Sequence, residues 1–272
     1  MRIAVVGAAG RMGRLVVGAI LDAPDLHLAA AFGREGAAAS GADAGTLCGR
    51  PPAGVFIRPV GDVVADVWVD FSLPAGLDLA LNHIRPGVPL VTGTTGLDAR
   101  LRDRLDATAA TRPLVAAANF STGVALLRSL ARIAASTLPS ADVEIIETHH
   151  RQKRDAPSGT ALALASDVAS SRGVDLASVI DHGRHGETGP RAEGRIGMHA
   201  LRGGDINGDH TVWLAMDGET VSLSHRATAR STFAMGALRA ARWLVGRPPG
   251  RYTMDDVLGL GAVGAEDAFT RS

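Results

Sequence analysis

The stretch Glu147-Thr148-His149-His150-Arg151-Gln152-Lys153-Arg154-Asp155-Ala156-Pro157-Ser158-Gly159-Thr160 gathers more reactive chemistry than any other part of the chain. Two adjacent imidazoles, His149 and His150, exchange protons near neutral pH. Arg151, Lys153 and Arg154 bring positive charge. Pro157 and Ser158 read as a helix start, with Ser158 as N-cap. Gly159 and Thr160 then occupy the first helical positions, where backbone N–H groups lack intrahelical partners and face the positive end of the helix dipole. A small anion such as a carboxylate is their natural ligand. Proton carriers and anion binders converge here, as binding and catalytic groups do. A solvated basic loop before an ordinary capped helix would read the same, unless a cofactor site lies elsewhere in the chain.

The elements around this stretch follow from its flanks. Val143, Ile145 and Ile146 read as the end of a strand, and Leu162, Leu164, Ala165 and Val168 share one helical face. The fourteen residues are therefore expected to form a strand-to-helix loop, the usual seat of binding groups.

A cofactor site is legible at the N-terminus. Ile3-Ala4-Val5-Val6 is a continuous apolar run of the kind that forms a buried parallel strand. Gly7-Ala8-Ala9-Gly10-Arg11-Met12-Gly13 follows, and Leu15, Val16, Ala19 and Ile20 mark an amphipathic helix. This is a G-x-x-G-x-x-G variant of the dinucleotide fingerprint in its strand–turn–helix setting. Gly7 permits the turn, Gly10 admits a pyrophosphate, Gly13 allows close helix packing, and Arg11 can meet phosphate. After the second strand, Leu28 to Phe32, an NAD-preferring protein places a carboxylate. Gly33 stands there instead, followed by Arg34 and Glu35. Arg34 suits a 2′-phosphate, although a glycine turn with a solvated Arg fits the same residues.

The alternating pattern continues. Val67 to Phe71 reads as a strand, with a helix from Pro74 to about Ile84. Pro89 to Val91 is a strand ending in Thr92-Gly93-Thr94-Thr95-Gly96, and a helix over Leu97 to Ala110 precedes the strand Leu114 to Ala117. Residues 36–54 read as loop with a short helix at most. From Ala118-Asn119-Phe120-Ser121 the pattern changes. Ser121 is expected to cap a helix over Val124 to Ser136 carrying Leu126, Leu127, Leu130 and Ile133. Strands over Ile196 to Leu201, Val212 to Met216 and Val221 to Ser224 belong to a mostly non-alternating sheet, with a hairpin at Asp217-Gly218. One face of that sheet is expected to pack on the helix beginning at Gly159, and the other to meet a neighbouring subunit. Helices over Thr232 to Val245 and Met254 to Leu260 return to the first domain. The fold class is α/β: a Rossmann-like dinucleotide-binding domain (1–120 and 231–272) with a central α+β domain (121–230) for substrate and oligomerisation.

Composition limits the alternatives. A chain of 272 residues with zero formal net charge offers no basic face for nucleic acid or a membrane surface. The single cysteine, Cys48, has no internal partner and no zinc-ligand spacing, and no metal is expected. No secretory pattern or membrane-length apolar run is present, so a soluble cytoplasmic protein is expected.

With these pieces assembled, the chain resembles the 4-hydroxy-tetrahydrodipicolinate reductase (dihydrodipicolinate reductase) family of lysine biosynthesis over nearly its whole length. The resemblance rests on Gly7 to Arg14, Gly93-Thr94-Thr95-Gly96 and Ala118-Asn119-Phe120-Ser121. Its most specific part is Glu147 to Thr160, which looks like the signature E-x-H-H-x-x-K-x-D-A-P-S-G-T. Residues Arg202 to Thr211 look like R-x-G-D-I-x-G-x-H-T. The resemblance implies an NADPH- or NADH-dependent reduction of a cyclic unsaturated imine dicarboxylate by a homotetramer. Residue by residue, His149 resembles the proton donor, Lys153 the second catalytic group and His150 a substrate contact, while Gly159 and Thr160 would hold a substrate carboxylate. Gly7, Ala8, Ala9, Gly10, Arg11, Met12, Arg34, Gly93, Thr94, Thr95, Ala117, Ala118, Asn119 and Phe120 would line the cofactor. One departure is Gly33, where many members carry an acidic residue. It favours NADPH over NADH. Ser72 replaces a common Thr and keeps the hydroxyl.

Two other readings compete. Another Rossmann-type imine or amino-acid reductase, such as an aspartate-dehydrogenase-like enzyme, gives no reason for the His149-His150…Lys153 cluster. A catalytically silent NADPH sensor would not need His149 and Lys153 intact.

Overall fold

The apolar runs of the first half pair side by side. The structure, a computed structural model, describes residues 1–262, so residues 263–272 of the expected first domain lie outside the described residues. Its strands are β1 (Arg2–Val6), β2 (His27–Phe32), β3 (Ile57–Arg58), β4 (Val67–Asp70), β5 (Leu90–Thr92), β6 (Pro113–Ala116), β7 (Asp142–His149), β8 (Ile180–His182), β9 (Ile196–Arg202), β10 (Asp209–Met216), β11 (Glu219–Arg226) and β12 (Gly250–Tyr252). Its α-helices are α1 (Arg11–Leu21), α2 (Ala44–Leu47), α3 (Pro74–Ala80), α4 (Ala99–Thr108), α5 (Thr122–Thr137), α6 (Gly159–Ser171), α7 (Leu176–Val179), α8 (Ser231–Leu244) and α9 (Met254–Leu258). They divide into two compact units, one of Met1–Thr122 with Arg230–Gly259 and one containing Gly123–Ala229.

The first unit is a parallel sheet in the order β12-β6-β5-β4-β1-β2-β3. This is the doubly wound order, with β12 added at one edge. Strand residues are buried on both faces because helices cover both. Ala4, Val6, Phe32, Trp68, Leu90 and Leu114 alternate toward Leu77 of α3 and Leu101 and Leu105 of α4. On the opposite face α1 packs with α8, and α8 lies against β4, β5 and β6. Each fully buried Leu or Ile contributes about 1.5–3 kcal/mol through lost apolar surface.

The second unit is a mixed sheet, β11-β10-β7-β9-β8, with β7 central. β10 runs antiparallel to both β7 and β11, while β7, β9 and β8 are mutually parallel. Val143, Ile145, Ile196, Met198, Val212 and Leu214 project to one face. They bury against Ala161, Leu164, Ala165 and Val168 of α6 and Leu127, Ala131 and Ala135 of α5. The two helices are tied by Arg128 and Arg132 on Asp167. The other face carries Glu144, Ile146, His199, Leu201, Trp213 and Ala215, which line an open groove of about 730 Å³.

Several expectations need correcting. Glu147, Thr148 and His149 are strand, not loop, because Thr148 pairs with Asp209 on one side and Leu201 on the other. Two flanking ladders outweigh the polar character of these residues. α3 ends at Ala80 and continues to Ile84 only as turns. α5 begins at Thr122. Along it Leu127 is buried, and Leu126, Leu130 and Ile133 are exposed. The short elements β3, β8, β12 and α7 carry too few residues to show a period, so pairing alone reveals them.

Candidate active site

In the first unit the sequence motifs collect at the carboxyl ends of adjacent parallel strands. The Gly7-to-Met12 turn follows β1, Gly33 and Arg34 follow β2, Gly93 to Thr95 follow β5, and Ala117 to Phe120 follow β6. The region fits a dinucleotide because it is cleared of side chains. Gly7 has φ +77°, and a Cβ there would lie 2.5 Å from the Phe71 carbonyl oxygen. A Cβ on Gly13 would lie 2.0 Å from the Gly7 oxygen. Gly10 is the N-cap of α1 and brings no capping side chain, so the helix start is open to an anion. Arg11 and Arg34 are exposed beside it. Phe120 is buried against Phe71, ring centroids 5.6 Å apart, so it would meet a cofactor through its backbone.

Asp70 organises this edge, a role sequence reasoning missed. Its carboxylate accepts from Ser72 N–H (3.0 Å), Thr92 Oγ1 (2.6 Å) and Thr94 Oγ1 (2.6 Å), and from the Ser72 hydroxyl. Burial raises its pKa above the ordinary carboxylate value, and these donors offset that only in part.

In the second unit β7 delivers the chemistry. Its period of two puts Glu147 and His149 on the helix-covered face in line with Val143 and Ile145. Register then sets the neighbours: Arg202 of β9 lies opposite His149, and His210 of β10 opposite Glu147. His149 Nδ1 is 2.6 Å from Glu147 Oε2. Arg202 donates to both Glu147 oxygens at 2.8 Å, and the Ser158 N–H donates to Oε1 at 3.0 Å. Burial of Glu147 raises its pKa, but the bonds from Arg202, His149 and Ser158 outweigh this and hold it below the ordinary range. Burial lowers the His149 pKa, and the cations Lys153 and Arg202 lower it further, against an opposing pull from Glu147. His210 meets the His149 ring edge to face at 5.3 Å, and burial, helped by His149, keeps it neutral with a pKa of about 4.

α6 starts at Gly159 as expected. Ser158 caps it by accepting from the Ala161 N–H at 3.2 Å, and its hydroxyl contacts His210 Nε2 at 3.2 Å. Gly159 is exposed and Thr160 half-buried. Lys153 bonds Asp155 at 2.9 and 3.0 Å, leaving one ammonium proton for another acceptor. The 203–208 loop hangs on the end of β7 through Gly203 N–H to His149 O (2.9 Å) and His150 N–H to Ile206 O (2.8 Å). Gly208 in this loop, at φ +149°, has no side chain to crowd His149: a Cβ would lie 2.9 Å from Nε2. Glu147, Arg202, Gly208 and His210 are the neighbours that reading the sequence did not assign. The alternation Val143, Ile145, Glu147, His149 was one signal, and Arg202, Gly208 and His210 stand in the R-x-G-D-I-x-G-x-H-T segment.

A doubly wound sheet with a side-chain-free phosphate turn, in a chain that also carries a buried imidazole beside a capped helix start, fits a dinucleotide-dependent reductase. Comparison with known proteins specifies which. Residues 1–120 match the family model described as dihydrodipicolinate reductase, N-terminus, and residues 123–258 match its C-terminus. A protein from Alkalilimnicola ehrlichii named 4-hydroxy-tetrahydrodipicolinate reductase is 51% identical over 95% of this chain and 99% of its own length. One of the same name from Psychrobacter arcticus is 47% identical over 96% and 95%. The chain belongs to the dihydrodipicolinate reductase family. Among solved structures, dipicolinate-bound dihydrodipicolinate reductase from Paenisporosarcina sp. TG-14 shares the fold with a TM-score of 0.72 at 24% identity, covering 93% of this chain and 97% of that one.

Proposed function

We propose that this chain is an oxidoreductase that uses NAD(P)H to reduce 4-hydroxy-tetrahydrodipicolinate (dihydrodipicolinate) to tetrahydrodipicolinate, a step of diaminopimelate and lysine biosynthesis, with His149 giving the proton. The observation that carries the residue assignment is the buried His149, with one nitrogen on Glu147 and the other beside side-chain-free Gly208. In this reading Met1–Thr122 with Arg230–Gly259 binds the dinucleotide, and Gly123–Ala229 binds the substrate.

When bound, NAD(P)H supplies a hydride to a ring carbon conjugated with the C=N bond. Electron density then builds on an enamine-like system, and a positioned imidazolium is suited to protonate it. The N–H groups of Gly159 and Thr160 hold one substrate carboxylate at the start of α6. Lys153 donates a hydrogen bond from its remaining N–H to the same dianion, and His150 adds a contact. Holding both carboxylates fixes the ring for attack. The cyclic dicarboxylate bound in the Paenisporosarcina enzyme supports this choice of ligand. NADPH oxidation with substrate generated from pyruvate and aspartate semialdehyde tests the reading. A protein that binds NADPH without turnover is a sensor instead.

The preferred cofactor is NADPH, with NADH also used. Gly33 offers no carboxylate to bind the ribose hydroxyls or repel a 2′-phosphate, and exposed Arg34 offers a donor fork. A charge-assisted contact is worth about 1.5–3 kcal/mol, or on the order of ten- to a hundred-fold. Arg34→Ala is therefore expected to lower kcat/KM with NADPH by about that factor and leave NADH nearly unchanged. Equal losses with both cofactors, or a wild-type preference for NADH, would sink the idea. Gly33→Glu is a poorer probe, since a Cβ there meets Ile57 Cγ2 at 2.7 Å.

The outward face of the second sheet suits assembly. Exposed Leu201 and half-buried Ile146, Trp213 and Ala215 make an apolar strip beside Glu144, whose pKa is held at about 2: burial raises it, and Arg184, His199 and Arg191 more than reverse that. A homotetramer built on this face in the cytoplasm is the expected state. Light scattering at micromolar concentration should give a tetramer mass, and a monomer would count against the assignment.

A further inference from the structure

The proton-donor reading needs one nitrogen of His149 free for substrate and the other held, and the side chains around β7 say which is which. Glu147 is fully buried, yet it stays charged because Arg202 and the Ser158 amide supply three donors to its two oxygens. An ionised carboxylate accepts and cannot donate, so the 2.6 Å contact to His149 requires the proton on Nδ1. Nε2 points the other way, toward the space left by Gly208. The same carboxylate holds the N-cap residue of α6, whose next two residues form the anion cradle.

We propose that Glu147 is the positioning residue of this site: clamped by Arg202 and the Ser158 amide, it keeps a proton on Nδ1 of His149 so that Nε2 alone takes and delivers the catalytic proton. The inference rests on His149 being the proton donor. In the step itself the Nε2–H bond breaks, its electron pair stays on Nε2, and a C–H bond forms on the reduced ring system. The ring is left neutral with its Nδ1–H still bonded to Glu147, and Nε2 regains a proton (H⁺) from bulk solvent. The imidazolium is favoured by Glu147 and opposed by Arg202 from β9, by Lys153 in the loop after β7, and by burial. His210 from β10 stays neutral, and Asp155 faces the site through its carboxylate on Lys153 and its backbone oxygen, which accepts from Arg202 at 2.7 Å. Glu147 is thus the one anion that touches the ring among the described residues. It also fixes the ring plane, as carboxylates do for metal-bound and catalytic histidines.

The test combines a tautomer measurement with a pH profile. ¹⁵N NMR of the histidine-labelled full chain, with the His149 signals assigned by comparison with His149→Gln, should show neutral His149 as the Nδ1–H form. Glu147→Gln should move the high-pH limb of kcat to lower pH by about one to two units, since an opposite charge at this range shifts a pKa by about that much. At neutral pH kcat should fall roughly ten- to a hundred-fold, with KM changing less, and Glu147→Asp should recover part of the loss. An Nε2–H tautomer in the unmodified protein overturns the proposal whether or not the variants fold. So does a Glu147→Gln enzyme with its limb and kcat unchanged. Failure of the underlying reading looks different: His149→Gln would then keep its kcat, whatever tautomer is observed.

Discussion

His149→Gln should lower kcat by about 10²–10⁴-fold, the usual worth of a general acid, while KM for both substrates stays within a few-fold. Gln matches the imidazole in polarity and still reaches hydrogen-bond partners, but it cannot carry a proton to carbon. The pH dependence adds a second signature. In the free enzyme, burial, Lys153 and Arg202 lower the His149 pKa against the pull of Glu147. The acid form is therefore lost as pH rises through a value below the ordinary histidine range, and kcat/KM should decline from there. A bound dicarboxylate adds negative charge near the ring and raises the pKa. The limb in kcat should accordingly lie at higher pH than the limb in kcat/KM. Steady-state rates from pH 5 to 9 decide the matter. A variant with near-wild-type kcat, or wild-type limbs in the reverse order, would remove His149 from the role of acid.

Gly13→Ala should abolish useful cofactor binding. The added Cβ would lie 2.0 Å from the Gly7 carbonyl oxygen and 2.7 Å from the Ala8 Cα, both backbone atoms that no rotamer change can clear. α1 must then back away from β1, and the turn that presents the helix start to the pyrophosphate opens with it. Charge-assisted and backbone bonds to the diphosphate are lost together. A loss of at least about 3 kcal/mol, roughly a hundred-fold or more in Kd for NADPH, is expected. Overpacking of this kind also costs about 1–3 kcal/mol in stability, so Tm should drop by several degrees. Fluorescence titration with NADPH and a thermal melt measure both. Unchanged Kd and Tm would mean that the Gly7–Gly13 turn does not need its glycines.

The β1–turn–α1 start of the first unit was legible in the sequence because its signals are local. A four-residue apolar run, a glycine triplet and an amphipathic helix lie within the first 21 residues, and each acts on its immediate neighbours. The start of α6 at Gly159 was legible for the same reason, since a cap and its helix are adjacent in the chain. Which apolar residues of α5 are covered was not legible, because helical spacing shows that a face is apolar but not what covers it. Leu127 meets the sheet, whereas Leu126 and Leu130 do not. Glu147 to His149 were misread as loop because strand character there comes from β9 and β10, which begin 47 and more residues further on in the chain.

The sequence alone thus determined which groups could do chemistry here and which turn could hold a dinucleotide: residue type, caps and glycines act over a few bonds. Only the tertiary structure decided how those groups are tuned. Arg202 and Glu147 are 55 residues apart, and His210 is 52 residues from Ser158. Their meeting is set by strand register, and a slip of one residue would turn Glu147 and His149 to the opposite face. The charge on a buried carboxylate, the nitrogen it holds and the room left at Gly208 are properties of that packing. They depend on distance and desolvation between segments remote in the chain, which no local pattern of residues encodes.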